Sequence, residues 1–375
     1  MKETTSLESS DDQVLTLFTP KKILFVVCLM IIAILTNFDL LPKNNHSGSD
    51  MFIPLTTAPT EAPPIITPEC PFNFRLYTLA EAVHEPENVC GLVLHSKKDL
   101  EGIASVSASL RNLYLLTLLD MDEDAKIPSA LGELRSLQEL KIDSTAGEIS
   151  IPPEIGNLRQ LKKFYISKNE SLVAIPVSVS KLDHLESVTI RYSPNLIIPD
   201  SLLSHVSLTF INITAQGITK IPSVVYHLPK LESLYCLDNK ISTVSADLAN
   251  LTSLRQLNLN LNQIAKFPHI DTLVNLEELE LKENRLTKLP PGIEKLKKLK
   301  ALRISNNLLD DSTTGKIQML TRLESLDLSN NKLTKLPTGI EKLKNLKYLN
   351  LEGNAIDKST IEPLKQILPN TTIVY

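Results

Sequence analysis

The chain lacks tryptophan, and aromatic residues make up only 5% of its 375 residues, so leucine and isoleucine must fill its core. Four cysteines are too few for a small disulfide-stabilised scaffold. A formal net charge of -4 does not favour nucleic acid, whose phosphates attract clustered lysine and arginine. Glycine is scarce, with 11 residues against 23 prolines. We therefore expect a folded, leucine-filled chain with no nucleic-acid partner.

The sequence also lacks the common catalytic and metal-binding motifs. Its seven histidines are scattered, with no pair at metal-ligand or i, i+4 spacing. It contains no glycine-rich dinucleotide loop, no phosphate-binding loop and no G-x-S-x-G nucleophile motif. We expect a protein that is not an enzyme and that needs no cofactor.

The N-terminal region contains one apolar run. Residues 23–35 are uninterrupted by polar side chains and follow Lys21 and Lys22. We expect a short cytosolic tail at 1–22 and a signal-anchor transmembrane segment at 23–41, although its length is marginal for a spanning helix. The lysines predict a single-pass protein with a cytosolic N-terminus and extracytoplasmic repeats, at the plasma membrane or in the secretory pathway. There are two alternatives to the anchor. One is a cleaved signal peptide, which would need a small-residue cleavage site after the apolar run, and the other is a buried core helix, which would need a surrounding domain to bury it.

Residues 42–69 are rich in proline and threonine. This composition predicts an extended stalk, with O-glycosylation as one possibility and a plain disordered spacer as another. Both would hold the following residues away from a membrane.

A leucine pattern recurs along the rest of the chain at steps of 22 to 24 residues, and segments 276–290 and 323–337 are nearly identical copies. Residues 89–94 fit one step before the first unit as a capping strand, and residues 370–375 fit one step after the last. The eleven units begin at Leu113, Leu137, Leu161, Leu185, Leu208, Leu231, Leu254, Leu276, Leu299, Leu323 and Leu346.

The pattern L-x-x-L-x-L-x-x-N-x-L resembles the leucine-rich repeat family over about three-quarters of the chain. Segment 147–158 is similar to plant-type repeats, whereas later units are similar to typical repeats. The resemblance implies an α/β solenoid, a horseshoe with a concave parallel β-sheet and a convex side of short helices and turns. It places an N-terminal cap at 70–112 and about eleven repeats with a terminal strand at 113–375.

Within each unit, the fourth and sixth residues should point inward from a short strand. The resemblance implies that a ninth-position asparagine is buried and hydrogen-bonds neighbouring turns as a ladder. Met121, Thr145, Ser193 and Gln216 replace it in four early units, where we expect a weaker ladder. The later ladder residues are Asn239, Asn262, Asn284, Asn307, Asn331 and Asn354.

The cysteines have separate predicted roles. Cys70 and Cys90 lie where the family often places a disulfide-stapled cap, which requires an oxidising compartment; two unpaired thiols are the alternative. Cys236 replaces a sixth-position leucine and should be a small, inert core residue.

The second, third, fifth, seventh and eighth positions should face outward on the concave sheet. Most are small or charged, but Tyr165, Tyr192, Phe210 and Tyr235 come from four consecutive units and should be near neighbours. Exposed aromatics are enriched in interface hot spots, so we predict a partner site here. Surface aromatics without a partner are the alternative. Glu277, Glu278, Glu280 and Glu283, beside Lys300 and Arg303, instead indicate cross-strand charge pairing.

Five N-x-[ST] sequons are present, and we predict glycosylation at Asn45, Asn250 and Asn370. Asn169 occupies a ninth, buried position and should be unmodified. Asn212 is at a fifth position and points into the aromatic cluster, where a glycan would obstruct the predicted site.

Together these features predict a membrane-anchored, non-catalytic recognition or adhesion protein that binds a protein or glycan on its concave face. Because the cytosolic tail has no domain, a signalling role would require a co-receptor. A secreted or wall-associated structural protein and a cytosolic leucine-rich repeat scaffold are the alternatives.

Overall fold

The computed structural model describes residues 74–121, 124–145, 147 and 149–375. Within them, fourteen strands form one sheet whose spatial order is the order of the chain. Every pairing in this sheet is parallel, as short crossovers between successive repeats require. The prediction of a leucine-rich repeat solenoid with a parallel sheet is confirmed.

Each predicted unit supplies one strand to this sheet, and the remaining two strands, β4 and β6, pair with each other in a separate ribbon. The strands are β1 (Leu76–Tyr77), β2 (Gly91–Leu94), β3 (Leu115–Leu119), β4 (Ala125–Lys126), β5 (Glu139–Thr145), β6 (Ile149–Ser150), β7 (Lys163–Asn169), β8 (Ser187–Arg191), β9 (Phe210–Thr214), β10 (Ser233–Tyr235), β11 (Gln256–Asn258), β12 (Glu278–Glu280), β13 (Ala301–Arg303), β14 (Ser325–Asp327), β15 (Tyr348–Asn350) and β16 (Thr372–Val374).

Short helical segments connect the strands on the opposite side. Five of them follow a proline at the preceding residue, where the missing N–H costs nothing and the fixed φ starts the turn. The α-helices are α1 (Leu79–Ala82), α2 (Lys97–Gly102), α3 (Asp200–Leu203) and α4 (Ile361–Ile367). The 3-10 segments are Pro86–Asn88, Ile103–Ser105, Ser107–Ser109, Ser129–Glu133, Pro153–Asn157, Val177–Lys181, Ser223–His227, Ala246–Asn250, Ile293–Lys295, Asp311–Met319, Ile340–Lys342 and Lys358–Thr360.

The core is a continuous stack of inward side chains. Leu276, Leu279 and Leu281, at the first, fourth and sixth positions of one unit, are fully buried, and each contributes roughly 2 kcal/mol. The sixth-position row changes along the chain from Ile213 to Cys236 and then to leucine in most later units. The β-branched residues coincide with the longer strands, which fits their preference for extended backbone.

The later units share a complete hydrogen-bond pattern at the ninth position. Asn284 donates from Nδ2 to the carbonyls of Leu259 (2.9 Å) and Leu281 (3.2 Å), while its Oδ1 accepts from the backbone N–H of Ile264 (3.0 Å). Each asparagine therefore links its own unit to the preceding one. The same arrangement holds at Asn239, Asn262, Asn307, Asn331 and Asn354.

The earlier units use shorter or incomplete substitutes. Asn169 is fully buried and donates to the carbonyls of Ile142 and Ser167. Ser193 donates to the Arg191 carbonyl at 3.0 Å. Gln216 donates to the Thr214 carbonyl, but its Oε1 is buried without a partner. Met121 is buried and has no amide to offer. The side chain of Thr145 lies outside the described residues.

The residue before the ladder position adopts a left-handed conformation in every unit. In ten units it is not glycine and has φ between 48° and 56°, and in the last unit it is Gly353 with φ 69°. This backbone turn ends the outward-facing strand and directs the ninth side chain inward. The ten are Asp120, Ser144, Lys168, Tyr192, Ala215, Asp238, Leu261, Glu283, Asn306 and Asn330.

The predicted tail, anchor and stalk at 1–22, 23–41 and 42–69 lie outside the described residues. Among residues that the structure does describe, no helix is both long and apolar enough to cross a bilayer. In the cap, Cys90 is buried and disulfide-bonded, whereas its predicted partner Cys70 lies outside the described residues. Cys236 is a free, fully buried thiol, and burial raises its pKa to about 12.

Candidate recognition surface

The four predicted aromatic residues lie on the outward face of the sheet, and each is half-buried. We call this set the aromatic surface: Tyr165 on β7, Tyr192 just after β8, Phe210 on β9 and Tyr235 on β10. Half-burial beside neighbouring side chains restricts ring rotation while leaving part of each ring accessible. The rings do not form one cluster, because they are arranged as two pairs.

Phe210 and Tyr235 form the first pair. Their ring centroids are 5.3 Å apart and the rings are nearly perpendicular, an arrangement favoured by the aromatic quadrupole. The Tyr235 hydroxyl donates to Gln256 Oε1 at 2.7 Å, and the same oxygen accepts from the Ser233 hydroxyl at 2.9 Å. Tyr235 is thus held by its ring on one side and by its hydroxyl on the other.

The second pair is Tyr165 and Tyr192, whose rings make no aromatic contact with each other in the described part of the chain but which both lie near Arg191. The guanidinium carbon of Arg191 lies 5.5 Å from the centroid of the Tyr192 ring, within cation–π range. Burial raises the pKa of Tyr165. Of the two tyrosine hydroxyls at the centre of the surface, that of Tyr235 is bonded within the protein.

The strand register places the two pairs apart. Tyr165 is paired with Thr189, Thr189 with Asn212, and Asn212 with Tyr235. Three strand steps at about 4.8 Å each separate Tyr165 from Tyr235 by about 14 Å. Thr189 and Asn212 form the polar floor between the two pairs.

Asn212, which the sequence placed in a sequon, is only 9% exposed. Its Oδ1 accepts a hydrogen bond from the fully buried Thr214 hydroxyl at 2.5 Å. By contrast, Asn250 and Asn370, two residues predicted to carry glycans, are exposed. Asn45 lies outside the described residues.

Three outward apolar residues were missed by the sequence reasoning. Val93 on β2 and Leu115 and Leu119 on β3 are half-buried and alternate with fully buried leucines. They occupy the fifth, third and seventh positions of their units. Because these positions face outward, the sequence could have identified the three residues. These residues form a separate apolar patch near the cap, because β5 between it and the aromatic surface carries the outward charges Glu139, Lys141 and Asp143.

The C-terminal part of the same face carries ion pairs. Glu277 bridges Arg255 and Lys300, with both N···O distances at 2.6 Å, and Glu280 pairs with Arg303. Burial alone would raise the pKa of Glu277, but the hydrogen bonds from Lys300 and Arg255 outweigh it and lower the pKa. These contacts agree with the predicted cross-strand charge pairing. In the described part of the chain, no three histidine, cysteine or acidic side chains are grouped as metal ligands would be.

Comparison with known proteins agrees with this geometry. Residues 235–372 match the family model described as a leucine-rich repeat region. The fold is a leucine-rich repeat solenoid. An internalin from Listeria monocytogenes is 24% identical with a TM-score of 0.61, over 71% of this chain and 75% of that one. A plant peptide hormone receptor in complex with its ligand RGF2 is 27% identical, with a TM-score of 0.54, over 72% of this chain and 45% of that one.

A third similar structure is the Arabidopsis receptor kinase HAESA in complex with the peptide hormone IDA and the co-receptor SERK1. It is 26% identical with a TM-score of 0.55, over 75% of this chain and 51% of that one. Among curated proteins, the probable inactive serine/threonine-protein kinase roco10 of Dictyostelium discoideum is 29% identical over 125 residues, 32% of this chain. An adenylate cyclase of Schizosaccharomyces pombe is 28% identical over 114 residues, 30% of this chain. The matches span only 5% and 7% of those proteins. A leucine-rich repeat domain indicates a protein-binding role in recognition.

Proposed function

We propose that this chain is a membrane-anchored, non-catalytic recognition or adhesion protein whose concave face binds a protein or glycan partner. The observation that carries the proposal is the fixed aromatic surface. Tyr235 is held between Phe210 and Gln256, and Arg191 lies over the Tyr192 ring. Rings that are already immobilised lose little entropy on binding, so they serve well as interface anchors.

The similar receptor structures support a protein partner. HAESA is described with a bound peptide hormone and a co-receptor, and the RGF2 receptor with a peptide hormone. A co-receptor is part of the proposal because the similar HAESA structure contains one. The curated matches include a cyclase and an inactive kinase, but each match covers a small part of those proteins.

The proposed location combines an anchor at 23–41 and a stalk at 42–69 with repeats outside the cytoplasm. The disulfide at Cys90 supports an oxidising compartment, where we propose Cys70 as its partner. Exposed sequons at Asn250 and Asn370 would be accessible to glycosylation there, as would Asn45 in the stalk. N-terminal sequencing of the mature protein tests the anchor. A start near residue 40–50 would favour the secreted alternative, and extraction from membranes by carbonate would favour the cytosolic scaffold.

Partner capture by the full chain and by a Tyr165→Ala/Tyr235→Ala variant tests the site. Loss of two interface anchors worth about 2 kcal/mol each, about 4 kcal/mol together, should weaken the affinity for the partner roughly a thousandfold. Tyr348→Ala is the matched control, because Tyr348 is a half-buried outward tyrosine on β15, far along the sheet. Unchanged recovery with the double variant would refute the aromatic surface as the binding site.

A further inference from the structure

We infer that Asn212 is a specificity-determining hydrogen-bond donor on the aromatic surface, and that the partner is an extended peptide segment which places a main-chain carbonyl on it. This inference rests on the proposed function, because it requires the aromatic surface to be the binding site. It adds the chemical class of the partner and the residue that selects it.

Thr214 determines which end of the Asn212 amide is available. The Thr214 hydroxyl is completely buried and donates its hydrogen to Asn212 Oδ1 at 2.5 Å. A buried hydroxyl needs a partner, and in the structure this bond directs the Asn212 oxygen toward Thr214 and orients the amide group. The amide therefore presents nitrogen, a donor, as its free end.

The Asn212 nitrogen has no acceptor among the described residues. It is also not one of the side-chain atoms that are both shut off from solvent and without a partner. Its Nδ2 must consequently retain contact with solvent. A ladder asparagine differs: Asn284 directs its Nδ2 to three backbone carbonyls inside the solenoid. Asn212 is thus an oriented donor on a surface, and a bound ligand must offer it an acceptor or leave it unsatisfied.

The side chains around Asn212 favour apolar groups on either side of that acceptor. Phe210 lies two residues before Asn212 on the same strand face, and Tyr235 lies directly opposite on β10. The Phe210 and Tyr235 rings meet at 83°, which forms a notch and not the flat platform on which a sugar ring stacks. The Tyr235 hydroxyl is already bonded to Gln256, so the Phe210–Tyr235 pair offers mainly ring carbon.

An extended peptide satisfies this spacing. A strand rises about 3.4 Å per residue, so two side chains on one face and four residues apart span about 14 Å. That is the separation of Tyr165 and Tyr235 across Thr189 and Asn212. A peptide crossing the strands would place an apolar side chain at each aromatic pair, with a carbonyl of the intervening residues above the Asn212 amide.

The same chemistry requires Asn212 to be free of glycan, although it begins the sequon Asn212-Ile213-Thr214. A glycan on Nδ2 would replace the donor hydrogen and cover the floor between the pairs. Site-mapped mass spectrometry of the full chain should find Asn212 unoccupied. Full occupancy would overturn the inference.

The binding test uses a displayed library of random linear peptides as the probe, selected against the full chain, with a glycan array in parallel. Enriched peptides should carry two apolar residues four positions apart. Asn212→Asp, which replaces the donor by a charged acceptor of the same shape, should weaken their binding about tenfold or more. Asn350→Asp, at the equivalent fifth position on β15, should leave it unchanged.

Two further variants separate the possible failures. Thr214→Val removes the orienting hydroxyl while Asn212 remains, and should weaken peptide binding about threefold. If Asn212→Asp lowers the thermal midpoint, Asn212→Ser replaces it in the same assay. Loss of binding in Tyr235→Ala without loss in Asn212→Asp would overturn the inference and keep the aromatic surface. No loss in Tyr235→Ala would overturn the surface itself, and enrichment of glycans alone would overturn the peptide.

Discussion

The two halves of the solenoid hold their units together by different means. In the large sheet, the strands from β3 to β9 have five to seven residues, and only one of their five units has a ninth-position asparagine. From β10 to β15 each strand has three residues, and every unit has that asparagine. Backbone hydrogen bonds between successive units nevertheless continue beyond the short strands, as from Leu281 to Arg303 and from Glu283 to Ser305. The two halves therefore differ mainly in their buried amides.

Their outward surfaces differ in the same way. The N-terminal half carries Leu115, Leu119 and the aromatic surface up to Phe210, together with the ion pair of Glu139 and Lys141. The C-terminal half carries ion pairs that join successive strands, such as those of Glu277. Tyr235 belongs to the first strand of the second half, so the proposed site ends at the boundary.

The largest expected effect comes from removing a ladder amide in each half. Asn284→Ala leaves the buried N–H of Ile264 and several carbonyls without partners and should lower the free energy of unfolding by about 3 kcal/mol. Ser193→Ala removes two hydrogen bonds, one donated to the Arg191 carbonyl and one accepted from the Asn169 backbone N–H, and should cost about 2 kcal/mol. Urea unfolding of both variants measures the difference. Equal losses would remove the distinction between the halves.

The core at the boundary between the halves can be tested through Cys236. Burial raises the pKa of its thiol from 9.0 to about 12, so the unfolded chain releases this proton first as the pH rises. The thiol's contribution to stability is complete below pH 9 and is lost between there and about pH 12. From pH 8 to pH 10, the wild-type chain should lose about 1.4 kcal/mol more than Cys236→Val, which cannot titrate.

Unfolding by urea at both pH values gives this difference directly. Tyr226, whose pKa burial also raises to about 12, is present in both chains and cancels. The same loss in both chains would mean that the Cys236 site admits water, and that the core is not continuous across the boundary.

The smallest effect concerns the ion pairs of the second half. Glu277→Gln should lower the free energy of unfolding by about 0.5 kcal/mol, because the pairs with Arg255 and Lys300 are partly exposed. The lowered pKa means that this contribution is present above the ordinary glutamate value and is lost as the pH falls through the lowered one.

Glu186→Gln is the matched control in the first half, since Glu186 has the same second position and no ion-pair partner in the described part of the chain. Thermal unfolding in low and high salt should distinguish the two variants, with only Glu277→Gln showing a reduced salt response. A similar response from both would show that the pairing is electrostatically unimportant.

The fold was largely predictable, because a leucine spacing that alternates inward and outward determines the strands and their register. Asn284 could be assigned to the ladder from sequence because a polar residue at a buried position must have partners. The ribbon of β4 and β6 was not predicted. It depends on two-residue segments too short to carry a period of their own.

The candidate site was predictable in membership but not in arrangement. Counting positions brought Tyr165, Tyr192, Phe210 and Tyr235 to one face, but their division into two pairs depends on side-chain rotation. The left-handed backbone at Tyr192 also places that ring beyond the end of β8. The role of Thr214 required knowing where its buried hydroxyl points, which no spacing reveals.

The asparagine ladder also has a mechanical consequence. Each ladder residue joins two adjacent units through several hydrogen bonds, as Asn284 does with Leu259 and Ile264. When one end of the chain is held and the other is pulled, adjacent units separate first where those links are fewest. The units of the N-terminal half would then separate at lower force, while the six consecutive units with a complete ladder would stay together. A ligand bound at the aromatic surface would therefore experience the pulling force at the boundary between the two halves.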